Sequence, residues 1–234
     1  MYCTRPSGEY CSGKLQSEIM GSSRRERGRK NLQGEDPLAH SNSRFIHKIG
    51  QLLFRLRSLT PVPFILILVY FSHSTLSSIA IGIPLLVCGE WLRAWAVGYA
   101  GASTRARTLG AARALVTTGP YAHVRNPLYL GNLLLSLGMC CIANVYWMIA
   151  VLLVGYLAQY LPIIASEERY LFKACGTTYQ AYFAAVPRLL PRLRPYSNPS
   201  AHDFSFSRAL KSEKRTLTAI VSVLALIAGK VLLF

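Results

Sequence analysis

The chain has 234 residues, of which 52% are apolar and only 15% charged, yet it carries a formal net charge of +16. A soluble domain has about 25% charged residues, so this composition argues against an ordinary soluble fold. The excess charge argues equally against a nucleic-acid binder. Such proteins gather their basic residues on one face, whereas here Lys and Arg lie between apolar blocks, and no nucleic-acid partner is expected.

Residues 1–43 are polar, rich in Ser, Gly and Arg, and contain the run RRERGRK at 24–30. This segment lacks the apolar centre of a signal peptide and cannot bury a core, so it is expected to be a disordered basic tail. In residues 44–58, Phe45, Ile46, Ile49, Leu52, Leu53 and Leu56 recur at helical spacing. That pattern predicts an amphipathic helix lying in the membrane interface. A first crossing is expected over 59–73, with Pro61 and Pro63 near its start, where proline is tolerated. A second follows over 76–99 and contains Glu90 and Arg93, three residues apart and able to pair.

From Asn126 to Ser166 there is no Asp, Glu, Lys or Arg, a run of 41 residues. As one helix it would be about 60 Å long at roughly 1.5 Å per residue, twice the ~30 Å of a bilayer core. It therefore reads as two crossings, 127–143 and 145–165, joined by a turn at Ala143-Asn144. A last crossing is expected over 216–234, with 196–215 as a linker. The fold class is thus all-α, a polytopic integral membrane protein with about five transmembrane helices.

Orientation follows from the basic residues. There are eleven in 1–60, none in the turn at 72–74, four in 101–126, none at Asn144 and nine in 166–215. By the positive-inside rule the N-terminus, the 101–126 loop and the 166–215 segment are cytosolic. Lys230, near the outer end of the last helix, is expected to snorkel. The six cysteines show no metal-ligand spacing, and neither zinc nor a structural disulfide is expected.

Chemistry concentrates at the cytosolic rim, in TTGPYAHVRNPLYLG from Thr117 to Gly131. Asn126-Pro127 predicts a helix start, with Asn126 as cap and Pro127 at the first helical position. A helix N-terminus suits an anion. Arg125 lies beside it, Gly131 leaves room for a ligand one turn in, and Tyr121 and Tyr129 offer aromatic faces with a hydroxyl tip. On these residues alone the segment reads equally as an interfacial break with aromatic and Arg anchors. Glu167 and Glu168 are the only acids between residues 91 and 202. Adjacent on a helix, they point about 100° apart and need different partners: one a ligand cation, the other Arg125 or Arg188. An anion-receiving helix end near a carboxylate pair suits a zwitterionic ligand.

GPYAHVRNPLYLG, an apolar hairpin, and then EERYLFKACGTTYQAYFAAVPRLLP occur in that order. Together they resemble the membrane methyltransferases that include isoprenylcysteine carboxyl methyltransferases and phospholipid N-methyltransferases. The resemblance covers roughly 90–195 and implies a membrane methyltransferase domain over 59–195, whose cytosolic-side pocket holds S-adenosyl-L-methionine. It implies that Tyr121, Val124, Arg125, Asn126, Pro127, Tyr129 and Gly131 form one side of that pocket and that Glu167 and Glu168 close the other. Tyr179, Tyr182, Pro187 and Arg188 match a tail that packs over the cofactor. Arg125, Glu167 and Glu168 are the candidate catalytic residues. Many relatives carry His where this chain has Asn126, and Asn cannot hold a proton. His123 is off the family position and is expected to be an interfacial histidine.

The implied partners are the lipid bilayer and a lipophilic or small-molecule methyl acceptor. A carboxylate or thiolate acceptor needs no base, whereas an amine must first lose a proton. Two alternatives carry related motifs: an NADPH-dependent sterol-type reductase, and a non-catalytic lipid-binding relative.

Overall fold

The computed structural model describes residues 59–101, 115–197 and 202–233. The expected N-terminal tail and interfacial helix, and Arg105, Arg107 and Arg113, lie outside the described residues. Among the described residues the fold is all-helical. It comprises α1 (Pro61–Phe71), α2 (Leu76–Ala100), a short 3-10 turn (Gly119–Ala122), α3 (Pro127–Ile142), α4 (Trp147–Ala185) and α5 (Phe206–Leu233). Two of these, α2 and α4, are long and apolar enough to cross a membrane.

The two expected turns meet at one end of the bundle. Thr75 and Ser78 form a reciprocal capping box that starts α2, the arrangement that satisfies two orphan N–H groups at once. Asn144 ends α3 with φ of +60°, a conformation Asn tolerates better than most residues. The Ser74 and Ser78 hydroxyls then donate to the Ile142 carbonyl at 2.6 and 3.2 Å. This polar seam satisfies the Ile142 carbonyl at the end of α3.

Helices α2 and α3 pack through glycine. A Cβ on Gly82 would stand 2.6 Å from the Gly138 carbonyl, and one on Gly89 would stand 2.9 Å from that of Gly131. Each pair repeats after seven residues, so an antiparallel pair brings both contacts into register on one stripe. Close approach at small residues is what membrane helices use where no hydrophobic force draws them together.

Helix α5 begins at Phe206, well ahead of the expected 216, so much of the expected linker is helical. Its apolar face packs Ile220, Val223 and Ile227 against Leu68 of α1, Leu135 of α3 and Met148 of α4. Polar contacts fix both its ends. Glu213 is 2% exposed and meets Arg93 at 2.8 Å. Lys230 donates to the Tyr70 and Ser72 carbonyls, so its ammonium serves the C-terminus of α1.

Helix α4 continues past the expected fourth crossing to Ala185, with a break in its backbone at Gly176 (φ +50°, ψ −126°). Only glycine adopts that region without strain. The break lies between the apolar membrane stretch and the turns carrying Tyr179 and Tyr182.

Candidate active site

The sequence from Val186 to Tyr196 turns back and pairs with the 122–125 strip. The Arg125 amide donates to the Pro187 carbonyl at 2.9 Å, Arg192 to His123 at 3.0 Å and Tyr196 to Ala122 at 3.0 Å. The prolines at 187, 191 and 195 suit a chain that must bond outward rather than to itself. Three groups of predicted site residues are then assembled around these contacts.

The first is a buried ion cluster. Glu168, 5% exposed, takes Arg125 at 3.0 Å and Arg188 at 2.5 Å. Arg125 also donates to the Phe183 and Val186 carbonyls and lies 4.0 Å over the Phe183 ring. One guanidinium thus holds helix α4, its C-terminal tail and the start of α3 together. The expectation that one of the two glutamates pairs with Arg125 or Arg188 is met by Glu168, which pairs with both.

The second group surrounds Glu167, which is 8% exposed and accepts a hydrogen bond from the Tyr129 hydroxyl at 2.9 Å. Tyr156, not among the residues expected at the site, donates to the Tyr129 carbonyl. Tyr160 lies 5.0 Å from the Tyr129 ring and 4.3 Å from that of Tyr156. The signal was available: Tyr156, Tyr160 and Glu167 follow at intervals of four and seven residues, which is one face of a helix.

The third group locks the tail. The Tyr182 hydroxyl donates to the Tyr121 carbonyl at 2.7 Å. This turn of α4 lies beyond its apolar stretch, and burial holds the Tyr182 pKa well above the usual phenol range, so the group stays a donor. Tyr179, 1% exposed, packs edge-on to Phe172.

Two residues behave differently from expectation. Asn126 occupies the N-cap position before Pro127, but its side chain makes no capping bond. Its amide donates instead to the Arg188 carbonyl at 3.2 Å, which draws it to the tail. Gly131 was expected to leave room for a ligand. A Cβ there would stand 2.5 Å from Cγ of Arg93, so its space is filled by the stem of Arg93. Arg93 does lie 3.8 Å from Glu90, as the spacing predicts, but its shorter contacts are to Glu213, Asn132 and Thr216.

Beside the site lies a cavity of about 200 Å³, lined by Leu92, Trp95, Val124, Leu130 and Pro191, with His123 at its wall. Nδ1 of His123 bonds to the Arg192 carbonyl at 2.8 Å. Among the described residues no group of three or more His, Cys, Asp and Glu gathers as a metal site would. The donor set fits S-adenosylmethionine: a buried carboxylate with aromatic rings for its cation, next to a helix start without a side-chain cap for its carboxylate.

The family model for phospholipid methyltransferases matches residues 77–178, which include α2, α3, the RNP segment and both glutamates. The cobalt-zinc-cadmium resistance protein CzcN of Cupriavidus metallidurans is 36% identical over 97 residues, 40% of this chain and 44% of that protein. The nickel-cobalt-cadmium resistance protein NccN of Alcaligenes xylosoxydans is 31% identical over 99 residues, 41% of this chain and 46% of that protein. The match thus spans less than half the length of either relative. No solved structure matches. The likeness to phospholipid methyltransferases is thus carried by the central segment, residues 77–178.

Proposed function

We propose that the protein transfers a methyl group from S-adenosyl-L-methionine to a lipophilic or small-molecule acceptor, a carboxylate, thiol or amine, at the cytosolic membrane face. The five-crossing topology, with the N-terminus and the site in the cytosol, is part of the same proposal. The observation that carries it is the division of labour between adjacent buried carboxylates. Glu168 is neutralised by two guanidiniums, whereas Glu167 accepts from a phenol within an aromatic cluster.

S-adenosylmethionine, when bound, supplies a methyl group activated by its sulfonium charge. The protein's part is to bind and orient. Glu167 is assigned to the ligand's α-ammonium group, which S-adenosylhomocysteine shares, with Tyr129 fixing the Glu167 rotamer. The start of α3 at Pro127 is assigned to the ligand's carboxylate. Arg125, Glu168 and Arg188 hold the 186–196 tail over the site and keep water from it. Tyr121, Tyr179 and Tyr182 stiffen that closure.

Calorimetry of the detergent-purified protein with S-adenosylhomocysteine tests the reading. Binding is expected, with its loss in Glu167→Gln and no response to NADPH. Binding of NADPH alone, or of neither ligand, overturns it.

A further inference from the structure

The 186–197 tail has an outer face that the site does not use. Leu190 is 80% exposed and Leu193 is 97% exposed. They alternate with Arg188, Arg192 and Arg194, and no acid occurs between Glu168 and Asp203. Two exposed leucines interleaved with arginines, of which Arg188 already pairs with Glu168, are costly in water and well matched to the boundary of an anionic bilayer, where leucine enters the acyl region and arginine remains with the phosphates.

Position supports the same occupant. Pro191, between the two leucines, lines the cavity with Leu92 and Trp95 of α2 and Leu130 of α3. Leu92 and Trp95 stand eight and five residues inside the C-terminal end of α2, about 7–12 Å at 1.5 Å per residue. The tail therefore lies alongside α2, which is long and apolar enough to cross a membrane, rather than beyond its end. Trp91, 62% exposed, stacks near Trp95 at 5.0 Å, and tryptophan collects at the headgroup level of a bilayer.

We propose that residues 188–194 form a mooring that docks on anionic phospholipid headgroups of the adjoining leaflet, with Leu190 and Leu193 in the acyl boundary and Arg192 and Arg194 on phosphate. The backbone of this segment is already fixed by the Arg192 amide on His123 and by the Arg192 guanidinium on the Ala185 carbonyl at 2.7 Å. Docking thus orders no loop; it adds lipid contacts to a preformed turn. Because Arg188 and Pro187 belong to the same turn and contact Glu168 and Arg125, the membrane surface supports one wall of the candidate site. The inference rests on the membrane setting of α2 and α3 and is independent of which reaction the site performs.

The test places an environment-sensitive fluorescent amino acid at position 193 of the full-length protein. The native side chain is almost fully exposed, so the core is undisturbed. The protein is then reconstituted in phosphatidylcholine nanodiscs with increasing phosphatidylglycerol. The expected result is a blue shift that grows with phosphatidylglycerol, together with quenching by lipids brominated near the headgroup. In Arg192→Gln/Arg194→Gln the phosphatidylglycerol dependence weakens roughly five-fold per charge removed. Emission as in water at every lipid composition overturns the docking. A shift that is the same with and without phosphatidylglycerol overturns the recognition of anionic headgroups.

Discussion

The Glu168 carboxylate is shared by two guanidiniums that arrive from opposite sides of the candidate site. Arg125 comes at 3.0 Å from just before α3, and Arg188 at 2.5 Å from the tail after α4. The two are not equivalent. The Arg125 side chain is 8% exposed and that of Arg188 is 39% exposed. Only the first depends on Glu168 for its charge balance in a dry setting.

Glu168→Gln should therefore destabilise the protein by about 3–5 kcal/mol, because it leaves the buried Arg125 uncompensated. Arg188→Gln should cost under about 1 kcal/mol, since water already solvates that group. Thermal unfolding in detergent, followed by tyrosine fluorescence, measures both. Equal losses in the two variants would mean that the cluster is not ordered as described.

Tyr129→Phe changes no shape but removes the donor to Glu167. A buried carboxylate losing one hydrogen bond costs about 1–3 kcal/mol. If Glu167 also meets the ligand's cation, S-adenosylhomocysteine affinity should fall about ten-fold or more while the melting temperature drops only modestly. A fall in stability with unchanged affinity would remove Glu167 from the ligand site.

The glycine stripe makes a prediction with an internal control. A Cβ on Gly82 would press on Ile142 and on the Gly138 carbonyl, while Gly155 in α4 has nothing within 4 Å. Gly82→Ala should destabilise by about 1–3 kcal/mol through overpacking. Gly155→Ala should be neutral or stabilising by up to about 1 kcal/mol from helix propensity. Melting temperatures of the two variants, compared with the unaltered chain, decide it.

How much of this was legible in the sequence depends on the range of the interaction. The start of α3 follows from Asn126-Pro127, and the α3–α4 turn from a charge-free run too long for one crossing, because both are set by residues next to each other. The pairing of Glu168 was also legible, because so few acids are available to the arginines. The filled space at Gly131 is not legible locally, because its neighbour is Arg93, on another helix. Glu213 does not stand out in the sequence, because it sits in a run of charged residues, SEKR. Nothing local distinguishes a solvated glutamate from one buried against a residue 120 positions away. Asn126 was expected to cap α3 because asparagine usually does; the tail carbonyl of Arg188 competes for its amide.

The Arg93–Glu213 contact gives the last prediction, which concerns α5. This helix lies outside the segment that matches the phospholipid methyltransferase model, yet its buried Glu213 meets Arg93, whose stem fills the notch at Gly131. Arg93 also holds Asn132 of α3, so α5 is tied to the helix whose first turn carries the candidate site. Glu213→Gln keeps the volume and a hydrogen-bonding oxygen but removes the charge. Leaving the Arg93 guanidinium with a neutral partner there should cost about 3 kcal/mol or more. Double replacement with Arg93→Met should recover part of that loss, since the Arg93–Glu213 pair is then removed whole, while Glu90, 3.8 Å from Arg93, loses a neighbouring cation. Melting temperatures of the single and double variants form the cycle. If the double variant is no more stable than Glu213→Gln alone, the two residues are not coupled and α5 is held by its apolar face and Lys230 only.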